Sequence, residues 1–242
     1  MLLCSIYYIC KMDSIMSEYD FQSSLIFSNL SEQEAEMFRQ ASETFVLKKN
    51  QLLYREKSIP TGAYLLIHGK VKAYKTALDG RNQFFNIYKS GDLIGYHPIL
   101  CNERYADSCE TLEECKFSFI DIDAFNSLLE KIPHVNQQLI QNMSHEFGVM
   151  VNTITIMAHQ TLRYRFALYL LVLNKRYRND DGVFEGINLS REDLANYIGT
   201  TREGLGKLLK EFREDELIKV DKRTIFINNE KKLIEIVNSV YS

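Results

Sequence analysis

From His134 to about Gln160 the chain has neither a proline nor a cluster of turn residues, and only one glycine, Gly148. Within that stretch Ile140, Phe147 and Ile154 recur at one heptad position, and Met143, Met150 and Met157 at another. Alternating steps of three and four put all six on one narrow stripe of an α-helix, the pattern by which two helices pack along a seam. A helix packed only on its own domain also carries an apolar face. This stripe is narrow, is flanked by Asn142, Ser144, Glu146, Asn152 and His159, and lies between segments of different texture. A dimerisation helix over 133–160 is therefore expected, with a distinct part of the chain on each side.

The part before it, 20–132, reads as short strands broken by turns. Phe45-Val46-Leu47, Gln51-Leu52-Leu53-Tyr54, Ala63-Tyr64-Leu65-Leu66-Ile67, Lys70-Val71-Lys72-Ala73-Tyr74, Phe84-Phe85-Asn86-Ile87-Tyr88 and Lys116-Phe117-Ser118-Phe119-Ile120 are β-rich. Lys49-Asn50, His68-Gly69, Asp79-Gly80 and Ser90-Gly91-Asp92 punctuate them. Asp-Gly between alternating runs is a strong hairpin signal, and many evenly spaced short strands predict a barrel or sandwich.

The part after it, 161–242, reads as helical and then briefly as strand. Leu162 to Leu173 is apolar enough for a buried helix, and Asn179-Asp180-Asp181-Gly182 is a turn. Ser190 opens the next helix with Asp193 three residues on, a capping arrangement, and Leu194, Ala195 and Ile198 form its apolar face. Gly199 stands where a helix would end in a left-handed conformation. Thr200 with Glu203 reads as a second capping pair, and a helix of about Arg202 to Asp215 buries Leu205, Leu208, Leu209 and Phe212. Two short helices around a glycine-containing turn are the helix-turn-helix pattern. The second helix leaves Arg202, Glu203, Gly206, Lys207 and Lys210 outside, weighted to the N-terminal half that enters the major groove in such modules. Arginine can donate twice to a guanine edge, glutamate can accept from cytosine N4, and lysines and helix-start amides suit phosphates. Ser190, Arg191, Thr200 and Thr201 complete the expected DNA contacts, and Gly206 costs about 1 kcal/mol against alanine in a helix interior. Leu217-Ile218-Lys219-Val220 and Thr224-Ile225-Phe226-Ile227 then form a hairpin whose tip, Lys222 and Arg223, is a wing.

Over 242 residues, 45% hydrophobic and 25% charged content exclude wholesale disorder and suit two modest domains. A net charge of −3 argues against a nonspecific basic coat, so pattern and not charge identifies the DNA-reading segment. Cys4, Cys10, Cys101, Cys109 and Cys115 are irregularly spaced and include no CxxC pair, which predicts neither a zinc ribbon nor a redox dithiol. Cys101, Cys109 and Cys115 are expected as small buried residues. The apolar opening Met1 to Cys10 is too short to span a bilayer, and Met12 or Met16 is the alternative natural start. No membrane association is expected, and a reducing cytoplasm is the expected compartment. No phosphate loop, HExxH, GxSxG or paired-carboxylate pattern occurs, so an enzyme is not expected, nor a bound metal.

From about Phe21 to Val240 the sequence resembles the Crp/Fnr family of bacterial transcription regulators. "LSREDLANYIGTTREGLGKLLKEFREDELI" is similar to the family's recognition-helix segment, and "YLLIHGKVKAY" with "KSGDLIG" to its cyclic-nucleotide-binding barrel. The resemblance implies an α+β chain: an N-terminal double-stranded β-helix or jelly-roll barrel, a long dimerisation helix and a C-terminal winged helix-turn-helix. It implies a homodimer on double-stranded DNA that contacts RNA polymerase. Arg202, Glu203 and Lys207 fall where the family reads bases, although Lys207 replaces an arginine and loses its bidentate geometry. The effector pocket would comprise Gly91, Gly95, Tyr96, Arg104 and Tyr105. Cyclic-AMP binders of the family follow the glycine turn with a glutamate and then an Arg-Ser or Arg-Thr pair. Here Tyr96 follows Gly95, the phosphate position falls near Tyr105-Ala106, and Arg104 lies one residue out of register. The resemblance therefore implies a barrel that does not bind cyclic AMP, and whose effector is unknown or none. An iron–sulfur cluster on Cys4 and Cys10 and a haem on His97 are variants of the same resemblance; neither is expected, and no cofactor is assigned.

Overall fold

A computed structural model of the protein describes residues 17–21, 23–27, 29–178 and 182–239. Cys4, Cys10, Met12 and Met16, and most of the turn at 179–182, lie outside the described residues. The chain divides into two compact units: Gln22–Glu146, and Phe147–Ser242 together with the described residues 17–21.

The first unit is a two-sheet barrel. Strands β1 (Ser42–Leu47), β2 (Leu52–Tyr54), β3 (Gly62–His68), β4 (Val71–Thr76), β5 (Asn82–Tyr88), β6 (Leu93–Ile94), β7 (Ser108–Thr111) and β8 (Cys115–Asp121) form two antiparallel sheets. Their orders are β1-β8-β3-β6 and β2-β7-β4-β5. Apart from the β4–β5 hairpin, neighbours in each sheet are distant in sequence, which marks a jelly-roll connection and not a meander. The alternation read from the sequence sends Leu66, Val71, Ala73, Ile94, Cys109, Cys115 and Phe117 into the interior between the sheets. Cys101 differs from its expected burial and is exposed. It ends the short helix α2 (His97–Cys101), just before Asn102 turns the chain with φ +56°.

A second core lies where helices cover the barrel. Helix α1 (Glu32–Gln40) contributes Phe38, and α3 (Ile122–Lys131) contributes Phe125, Leu128 and Leu129. Val135 and Leu139 join them from α4, the long helix Pro133–His159. Both shorter helices carry start signals that periodicity alone passes over: the Ser31–Glu34 capping box and the Asp121 cap.

Helix α4 has two faces. Val135, Leu139, Asn142, Glu146, Val149 and Ile156 are buried on their own chain. On the other face Ile140, Phe147, Val151 and Ile154 stay 64%, 72%, 45% and 63% exposed. Met143, Met150 and Met157 are half-buried between the two. The stripe of six read from the sequence is thus one exposed row of β-branched and aromatic residues with a methionine row at its margin. Asn142 and Glu146, read as polar flanks of that stripe, belong to the buried face.

In the second unit α5 (Leu162–Arg176) is apolar on nearly every side and is enclosed accordingly. Around it stand α6 (Arg191–Ile198), α7 (Arg202–Glu214), the hairpin β9 (Ile218–Asp221) and β10 (Thr224–Ile227), and α8 (Glu230–Asn238). Phe166 meets Phe212 and Tyr169 meets Tyr197, each pair with ring centroids 4.6 Å apart. An ion pair closes this core. Arg176, 3% exposed, sets its Nε 2.7 Å from Asp20 Oδ1, and Lys175 Nζ lies 2.7 Å from Asp20 Oδ2. Arg176 also donates to the carbonyl of Phe21. Removing one partner of a buried pair strands the other charge, so Asp20→Ala should lower stability by about 3 kcal/mol. Thermal melting checks this, and an unchanged midpoint would show that the pair contributes nothing.

Candidate functional site

Helix α6 starts as read: Ser190 Oγ accepts from the Asp193 amide at 2.9 Å and donates to Asp193 Oδ2 at 2.7 Å. It ends at Gly199, whose φ is +73°. A Cβ there would fall 2.2 Å from Met157 Cε, the far end of a side chain that can move aside, so it is the backbone angle that calls for glycine. The second cap is displaced by one residue from its sequence reading. Thr201, not Thr200, caps α7, with Oγ1 accepting from the Gly204 amide at 3.0 Å. Thr200 Oγ1 instead stands 2.5 Å from where a Cβ on Gly204 would sit. Two adjacent threonines offer the same capping chemistry, so sequence alone could not decide between them.

Leu205, Leu208, Leu209 and Phe212 turn α7's apolar side inward. Arg202, Glu203, Gly206, Lys207 and Lys210 are all exposed. Lys207 Nζ rests 3.0 Å from Glu203 Oε1, an i,i+4 pair so exposed that solvent leaves it worth only a few tenths of a kcal/mol, about 0.3–0.5. Both side chains can therefore be recruited to another partner at small cost. At the wing, β9 and β10 pair so that Asp221 faces Thr224, leaving Lys222 and Arg223 as a two-residue tip with Lys222 at φ +52°. Arg191, in the first turn of α6, has a buried Nη1 without a hydrogen-bond partner among the described residues. Burial first, and the neighbouring Arg223 charge second, hold its guanidinium below the ordinary value. The influence of the wing-tip Arg223 charge on Arg191 is invisible in sequence, because 32 residues of chain position, 191 to 223, separate the two.

In the barrel the expected effector residues are found in two groups. Gly91 and Gly95 hold the turns on either side of β6 with φ of +91° and +78°. Tyr96 is fully buried and Tyr105 nearly so. Tyr105 stacks on Tyr54 at a centroid distance of 3.8 Å, and its ring lies directly over Gly95, where an added Cβ would approach it to within 3.2 Å. Arg104 is exposed and donates from Nη1 to the carbonyl of Lys57 at 3.0 Å, so the nearest arginine faces away from the interior. Tyr96 and His97 bond to α4: Asn142 Nδ2 donates to Tyr96 Oη at 2.7 Å, and His97 Nε2 lies 2.6 Å from Glu146 Oε2. Asn142 Nδ2 also donates to Glu146 Oε1 at 2.9 Å. His97 is therefore bound to a carboxylate, and its ring stacks on Tyr96 at 4.0 Å. Sequence reasoning missed Asn142 and Glu146; their i,i+4 spacing on the flank of the stripe was the available signal.

The groups around the Tyr54–Tyr105 stack include a half-buried carboxyl, Asp107, which accepts from Tyr54 Oη at 3.4 Å. Burial raises it from 3.8 to about 6, against the opposing influence of His97. A carboxyl with a higher pKa folded than unfolded binds more protons when folded, so its contribution falls as pH climbs from about 4 through about 6. Asp107→Asn should accordingly raise the unfolding midpoint at neutral pH and lose that advantage near pH 4. Denaturant titration at the two pH values tests this; a gain equal at both would contradict the raised carboxyl.

Comparison with known proteins gives two family matches. The cyclic nucleotide-binding domain matches residues 44–132, and the Crp-like helix-turn-helix domain matches residues 164–236. The "Anaerobic regulatory protein" of Aggregatibacter actinomycetemcomitans is 28% identical over 192 residues, 78% of this chain and 74% of that protein. The "Fumarate and nitrate reduction regulatory protein" of Escherichia coli (strain K12) is 26% identical over 194 residues, 78% of this chain and 76% of that one. Among solved structures, FixK2 from Bradyrhizobium japonicum superposes with a TM-score of 0.72 at 20% identity, over 81% of this chain and 96% of that one. Among the described residues no helix is long and apolar enough to cross a membrane.

Proposed function

We propose that this chain, which belongs to the Crp/Fnr family of transcription regulators, reads a near-palindromic DNA site as a homodimer. That it is a DNA-binding transcription regulator and not an enzyme follows from its relatives and its family matches. The working division is an effector barrel at 20–132, a dimerisation helix at 133–160 and a winged helix-turn-helix at 161–242.

The observation that carries the reading is the charged, exposed face of α7, where Arg202, Glu203, Lys207 and Lys210 stand opposite the side packed into the core. Arg202, Glu203 and Lys207 would meet base edges, with Arg202 the bidentate reader. Lys210, Lys222, Arg223 and Arg191, with the hydroxyls and amides of Ser190, Thr200 and Thr201, would hold phosphates. Arg191 and Arg223 would share one phosphate oxygen pair, which relieves their mutual repulsion. The exposed row Ile140, Phe147 and Ile154, with Met143, Met150 and Met157 at its margin, would pair with its copy. Two recognition helices would then sit about one turn of DNA apart. RNA polymerase is the natural partner of such a regulator.

Cyclic AMP does not suit the barrel. Tyr105 and Tyr54 fill the space over Gly95, Arg104 faces outward, and Asp107 and Glu146 would repel a phosphate. Any effector is of another kind, and it would act by changing the register of the seam.

Selection from random duplexes should return a two-fold-symmetric site. On that site Arg202→Ala should cost about 1–3 kcal/mol and relax preference at one position per half-site. Selection of an asymmetric motif, or none, would overturn the reading.

A further inference from the structure

Two glycines, Gly148 and Gly206, stand inside helices with nothing within 4 Å of an added Cβ. Glycine there sacrifices helix stability for no packing reason inside the chain. Gly148 lies on α4 beside the exposed row, next to Phe147 and three residues before Val151. Gly206 lies on α7 at the middle of the charged face: Arg202 and Lys210 are its i−4 and i+4 neighbours on one row of the helix, and Glu203 and Lys207 flank it on the next. It is thus a bare strip of backbone walled by four long charged side chains. Gly204, two residues earlier, is a useful contrast, since its missing side chain is demanded internally by Thr200 Oγ1 at 2.5 Å. None of the described residues makes the same demand of Gly206.

We infer that Gly206 sets the depth at which α7 enters the DNA groove: the base edges close against its backbone, and a side chain there would hold the helix off. This rests on the DNA-reading role proposed above. Side chains at the margin of a helix can swing aside, but a Cβ at the centre of the contact cannot, because it is fixed to the backbone. A helix held off by a methyl group keeps its long lysine and arginine reach to phosphates. It loses the short, angle-sensitive bonds from Arg202 and Glu203 to bases. Gly206 would therefore act on sequence discrimination and not on charge-driven binding.

The test compares Gly206→Ala and Gly206→Ser with the wild-type full-length protein, by thermal melting and by binding to the selected duplex and to a scrambled one. Gly206→Ala should raise the melting midpoint, bind the selected duplex about tenfold or more weakly, and bind the scrambled duplex within about twofold of wild type. Gly206→Ser should be weaker again on the selected site. Unchanged discrimination in Gly206→Ala would overturn the inference. So would weakened binding to both duplexes together with a lowered midpoint, which would assign the glycine to folding. Failure of the wild-type protein to prefer any duplex would instead sink the DNA-reading role itself.

Discussion

Helix α4 has to satisfy two environments at once, and much of the rest follows from that constraint. Its buried face carries Val135 and Leu139 into the core over the barrel, and Met157 against the Gly199 turn of the second unit. Its other face leaves Ile140, Phe147, Val151 and Ile154 open to water. A large phenylalanine at 72% exposure has a substantial hydrophobic incentive to be covered, on the order of 1.5–3 kcal/mol when fully buried. Repeated at heptad spacing, such residues make the helix complete only when something matches their period, and a second copy of the same helix does so by construction.

The buried face is not purely apolar, and its polar members are the most informative. Glu146 is a buried carboxylate bonded to His97 and Asn142, and Asn142 reaches Tyr96. Burying a carboxylate is costly unless it is paired and hydrogen-bonded. These bonds meet that requirement while tying the turn after Gly95 to the residue directly before Phe147. The barrel's glycine turn and helix α4 are in this way joined by side chains as well as by the chain. Meanwhile Tyr105 and Tyr54 occupy the space over the turn, so the interior is closed by the protein's own rings.

Much of this was legible from sequence because the signals are local. Strand periodicity, the Asp-Gly hairpin, the proline-free stretch, Ser190 with Asp193 and the Gly199 turn each act over a few residues. The two-helix module and the barrel followed from them. What stayed hidden depends on distant neighbours. Asn142 and Glu146 looked like solvated flanks because the sequence cannot say which side of α4 meets the barrel. Arg104 was expected near the pocket but turns to Lys57, and Thr201 took the cap that Thr200 could equally have filled. Cys101 was expected buried, yet it ends a short surface helix.

The central claim is that the exposed row of α4 pairs two copies of the chain and so spaces two reading heads. Sedimentation equilibrium of the wild-type protein and of Phe147→Asp tests it most directly, since Phe147 is exposed and its replacement leaves the chain's own cores intact. The account predicts a wild-type dimer and a folded, monomeric variant. A wild-type monomer at every concentration, or a Phe147→Asp variant that remains dimeric, would contradict it.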